Sequence, residues 1–152
     1  MDNHTIIQGV LKEFGKIIDL ESLALNQDGS CKLMFDNELE INFELDQTTD
    51  SLFLISPVAV GNEKLFADAL QLNLFWGELN GCRFILLGNT NVLALMRRIP
   101  VERFDLITLE TELEKFLETV SVWKQAFENK LQEEQESAST SDQYMQNFMN
   151  RV

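Results

Sequence analysis

The chain is 152 residues long, the size of one ordinary domain, and 45% of it is hydrophobic, enough to fill a core. Its 25 acidic and 12 basic residues give a net charge of -13. That balance excludes a nucleic-acid binder, which needs a basic face for phosphates, and argues equally against an anionic membrane surface.

The first helix is predicted over residues 4–19. Ile7, Leu11, Phe14 and Ile18 recur at helical spacing, and Ile6, Val10 and Ile17 widen the stripe. Thr5 with Gln8 fits a capping box, and Asn3 is an equally good cap. The N-terminal stretch interrupts its apolar residues with charged ones, so it does not read as a signal peptide. No apolar run reaches the roughly 20 residues of a membrane span.

Strands follow. Cys31 to Phe35 is apolar, and Asp36-Asn37 is a turn signal. Leu39, Ile41, Phe43 and Leu45 alternate with Glu40, Asn42 and Glu44, which predicts one face in the core and an acidic face in water. Ser51 to Ile55 is a third strand, with Pro57 expected to end its pairing. Asn62 caps a helix expected over 63–75. Leu70 to Leu95 contains that helix end, a glycine-bounded loop, and the start of a hairpin from Cys82–Leu87 and Val92–Met96, closed by Pro100. This stretch is scaffold, with nothing catalytic in it.

A long third helix is expected from Asp105 to Gln132. Leu106, Leu109, Leu113, Phe116, Val120, Trp123 and Phe127 are spaced three and four apart. The pattern would suit a coiled coil; the simpler reading is one helix lying along a sheet with this stripe inward. Residues 133–143 have linker composition, and Tyr144, Met145, Phe148 and Met149 recur at helical spacing after it. The chain thus divides into a domain at 1–132 and a flexible polar tail at 133–152. The order α-β-β-β-α-β-β-α makes an α+β domain with one mainly antiparallel sheet flanked by helices.

Chemistry is scarce. The single histidine, His4, stands at the N-terminus, and a nucleophile triad would have to be built on it. One His and two distant Cys do not supply a zinc site, no loop carries alternating calcium ligands, and no phosphate-cradling glycine motif is present. Catalytic residues, metal and cofactor are therefore expected to be absent, and Cys31 and Cys82 read as free buried thiols of an intracellular protein. A small enzyme using paired surface carboxylates is the alternative that acidic composition leaves open. Sheet edges beside apolar grooves are natural receptors for extended peptide.

At this point the chain resembles the class I chaperones of type III secretion, the CesT/SycE-like group, over residues 4 to 132. The element order, the Leu70–Phe75 helix end with Asn73 inside it, the strand Gly81-Cys82-Arg83-Phe84-Ile85-Leu86 and the acidic chain with a long last helix carry the likeness. The resemblance implies a homodimer in the bacterial cytoplasm that holds the N-terminal targeting segment of an effector or translocator extended and competent for the export ATPase. It implies a cargo surface at Ile6, Val10, Phe14, Leu33, Phe35, Phe43 and Phe53. It implies a dimer surface at Leu70, Leu74, Phe75, Trp76, Phe84, Ile85 and Leu86. A regulatory adaptor of the same fold, binding a secretion regulator or another chaperone, is the alternative function.

Overall fold

The computed structural model describes residues 1–75 and 77–150, with side chains through Glu136. Eight elements appear in the expected order: α1 Asn3–Ile17, β1 Ser30–Phe35, β2 Leu39–Asp46, β3 Ser51–Val60, α2 Glu63–Leu72, β4 Arg83–Leu86, β5 Val92–Pro100 and α3 Leu106–Asn150. The strands form one antiparallel sheet in the order β1-β2-β3-β5-β4, so β1 and β4 are its edges.

The alternation in β2 does what its period dictates. Ile41 and Phe43 are buried, while Glu40, Asn42 and Glu44 face the other way. Leu33 of β1, Leu52, Leu54 and Val58 of β3, Phe84 of β4 and Leu93 and Leu95 of β5 join them in one core cluster. Helices close it from that side. Ile7, Leu11 and Phe14 come from α1, Leu65 and Ala69 from α2, and Leu109, Leu113, Phe116, Val120 and Phe127 from α3. The third-helix stripe therefore lies on the sheet. Phe84 meets Trp123 and Phe127 edge-on, at centroid separations of 5.5 and 5.4 Å, which seats α3 against β4.

Local chemistry sets the boundaries. The cap of α1 is Asp2, not Asn3 or Thr5: the Thr5 N–H donates to its carboxylate at 2.8 Å. The helix ends at Ile17, where the chain folds back and the Leu20 N–H donates to the Gly15 carbonyl at 2.7 Å. A Cβ at Gly15 would collide with the Leu20 carbonyl, so glycine is required there. Asp36 and Asn37 both take positive φ, as the tight turn between β1 and β2 demands.

Three boundaries differ from expectation. Pro57 does not end β3; alternation turns its nitrogen toward the β2 side, beyond the last β2 pair at Ile55, so no ladder bond is lost, and the strand continues to Val60 through a register shift between Pro57 and Ala59. β5 runs on to Pro100 because Arg97, facing the helices, is paired with Glu112 of α3 at 2.8 Å and donates to the Asn80 carbonyl at 2.7 Å. α3 does not stop at Gln132 but continues as helix to Asn150 where a linker is expected; Glu, Gln and Ala propagate a helix that packing has already nucleated. The side chains of Tyr144, Met145, Phe148 and Met149 lie outside the described residues.

Candidate binding surfaces

His4, Cys31 and Cys82 all lie among the described residues. No three His, Cys, Asp or Glu side chains among the described residues come together as metal ligands. His4 sits within 3.4 Å of the Asn26 carbonyl, an arrangement that fastens a loop. Burial pushes the Cys31 thiol up, and pushes Cys82 to about 11 against the opposing pull of Arg97, so both remain protonated thiols at neutral pH.

The expected cargo residues do not form one surface. Phe43 is fully enclosed, and Val10, Phe14 and Leu33 are each less than a tenth exposed; they are core residues, and core packing explains their size and spacing. Ile6 and Phe35 are half-buried at the rim of that core. Phe53 pairs with Glu44 and Arg98 and so stands on the opposite face of the sheet, where it lines a cleft of about 340 Å³ with Arg83, Met96 and Arg98. Of the seven residues, only Ile6, Phe35 and Phe53 keep an accessible face.

The expected dimer residues are better grouped. Leu70, Leu74, Phe75 and Leu86 are 65, 78, 53 and 46% exposed, around the end of α2 and the edge strand β4. Ile85 is half-buried on the sheet's outer face, paired with Ala94. Phe84 departs from the group: it points inward to Trp123 and Phe127. Trp76 lies outside the described residues. The β4 edge is partly closed by Asn73, whose amide accepts from the Phe84 N–H at 2.7 Å and donates to the Phe84 carbonyl at 3.1 Å.

Among the described residues no strand covers the other edge, β1, and reading the sequence did not single out the groove beside it. The Leu45 N–H donates to the Gly29 carbonyl, while the Ser30 carbonyl accepts from the Asn26 N–H at 2.8 Å, on the side away from β2. Alternation along β1 then turns the backbone groups of Lys32 and Met34 away from β2 as well. They face a groove of about 550 Å³, lined by Leu20, Leu23, Ala24, Cys31 and Met34 among others. Met34 is 52% exposed and Leu20 40%. The far wall is the segment after α1, with Leu23 and Leu25 buried beneath it. Gln8 holds that wall: its amide donates to the Leu25 carbonyl at 2.9 Å and accepts from the Leu25 N–H at 2.7 Å. The signal available in sequence was Gln8 beside an apolar helical stripe and Leu23 and Leu25 isolated in a polar loop.

An antiparallel sheet with exposed apolar residues near its edges has the form to which an extended chain can add as a further strand. Known proteins agree in architecture. The ExsC–ExsE complex contains a chain 25% identical to this one, with a TM-score of 0.74 over 82% of this chain and 96% of that one. In the HopA1–SchA chaperone–effector complex the identity is 22%, the TM-score 0.66, and the coverage 82% and 98%. The ExoT–SpcS complex from Pseudomonas aeruginosa gives 15%, 0.59, 78% and 97%. No curated protein matches the chain in sequence. The model of the Tir chaperone protein (CesT) family matches residues 9–124, and the chain belongs to that family of type III secretion chaperones.

Proposed function

We propose that the chain binds the N-terminal targeting segment of a secreted effector or translocator as an added strand on β1, in the bacterial cytoplasm, and keeps it unfolded and soluble for the export ATPase. The observation that carries this reading is the free β1 edge beside the apolar groove walled by Leu20–Ala24. Edge backbone groups supply affinity for any sequence, and alternate side chains enter the groove. Ordering a disordered segment costs about 2–5 kcal/mol, which burial of roughly 1,000–3,000 Å² offsets. Cargo complexes of fold relatives, such as HopA1–SchA, support the same reading. The working form is a homodimer through Leu70, Leu74, Phe75, Ile85 and Leu86, a reading supported by the exposure of all but the half-buried Ile85.

Co-purification from the native bacterium with mass spectrometry should recover a secreted protein through its N-terminal segment. Recovery of a cytosolic regulator instead would make the chain a regulatory adaptor. Met34→Pro tests the mode. The Met34 N–H points away from β2, so proline there deletes a donor to cargo while sparing the β1–β2 ladder. Capture is expected to fail with the thermal midpoint nearly unchanged; undiminished capture would reject strand addition at β1.

A further inference from the structure

A second stretch of unpaired strand lies inside the sheet. β2 pairs with β3 only from Asp46↔Ser51 to Asn42↔Ile55. Beyond that, Pro57, Ala59 and Val60 pair with β5 alone, so among the described residues one side of this stretch has no neighbouring strand. The Gly61 N–H donates to the Asn91 carbonyl at 3.0 Å. Alternation in the antiparallel ladder then aims the N–H and carbonyl of Val60 away from β5. Its side chain is 69% exposed.

The space opposite is a notch of about 380 Å³ between the start of β2 and α3. Pro57, Val58, Val60, Val92 and Leu131 give it an apolar lining. Glu38, Glu40, Lys124 and Glu128 form the rest. The Lys124 ammonium donates to the Glu38 carbonyl at 2.9 Å and keeps its charge, and Glu40 is paired with Lys32 at 2.8 Å. The carboxylates of Glu38 and Glu128 have no ion-pair partner among the described residues. The notch thus offers backbone groups for one short strand, an apolar lining, and a net negative charge, three carboxylates standing against the ammoniums of Lys124 and Lys32.

We propose that this notch binds a short extended segment of a partner protein that is apolar at the pairing positions and carries a Lys or Arg beside them. The segment pairs with Val60, its apolar side chains meet Val92 and Leu131, and its cation meets Glu38 and Glu128. The site shares no residue with the β1 groove and does not depend on it.

The test is panning of random dodecapeptides displayed on phage against the immobilised full chain. An enriched class is expected with two aliphatic residues and a Lys or Arg within three positions of them. Its affinity should fall about tenfold or more, a loss of roughly 1.4 kcal/mol, on the charge reversal Glu38→Lys/Glu128→Lys, both of whose positions are exposed. Val60→Pro should also weaken it, and Met34→Pro should not. Absence of any such class, or enriched peptides that ignore both the charge reversal and Val60→Pro, would overturn the proposal, while peptides sensitive only to Met34→Pro would overturn it and leave the β1 reading standing.

Discussion

Asn73 and Gln8 perform one task in two places. A carboxamide carries the same donor and acceptor as a peptide group, so it can stand in for a neighbouring strand. Asn73 does this for Phe84 on the β4 edge, and Gln8 does it for Leu25 in the wall of the β1 groove. Both contacts are part-buried, where an unpaired backbone group is costly. Asn73→Ala should therefore destabilise the fold by about 1–3 kcal/mol, read as a lower urea midpoint at unchanged slope. Asn73→Asp should fall between, because it keeps an acceptor for the Phe84 N–H but loses the donor to its carbonyl. Equal midpoints for wild type and Asn73→Ala would refute the role. Phe43 and Phe53 make the complementary point. Both are phenylalanines in strands, and only the register of the sheet decides that one is enclosed and the other lines a surface cleft.

At the level of the element, periodicity was the readable quantity. The alternation from Leu39 to Leu45 and the stripe from Leu106 to Phe127 state their own burial, and the sheet and α3 follow. Features that depend on partners far along the chain were not readable. The groove wall relies on Gln8 reaching Leu25 across 17 positions, and the passage of β3 through Pro57 relies on β2 ceasing to pair at Ile55. Accessibility of the apolar residues likewise follows from the fold, which is why four of the expected cargo residues are core. Capping adds a titratable consequence. The Thr108 N–H donates to the Asp105 carboxylate at 2.8 Å at the start of α3, and this bond holds the carboxyl below its ordinary value. A lowered folded pKa means the stabilisation is complete above the unfolded value of about 3.9 and is lost as pH falls through the folded one. Asp105→Asn keeps a good cap without the titration. Between about pH 5 and about pH 3 the wild type should therefore lose thermal midpoint faster than Asp105→Asn. Parallel curves would show that the carboxylate contributes nothing.

For the whole molecule, two terms oppose each other when copies associate. A net charge of -13 repels a second copy, and Leu70, Leu74, Phe75 and Leu86 lose water when they are covered. Repulsion between exposed charges is screened beyond about 8 Å at physiological salt, whereas burial of apolar area is nearly indifferent to salt at that level. Because a stable interface buries on the order of 1,600 Å² in all, a cluster of four large side chains can form its centre but needs the neighbouring β4 edge to complete it. The proposed dimer should therefore show a light-scattering mass near twice 17.5 kDa at micromolar concentration and dissociate more readily at low salt than at physiological salt. Leu70→Gln with Leu74→Gln removes apolar area without changing the charge, and should give single chains of unaltered circular dichroism at both salts. A wild-type protein that remains a monomer at micromolar concentration would remove the dimer, and a Leu70→Gln/Leu74→Gln variant that still pairs would move the interface elsewhere on the surface.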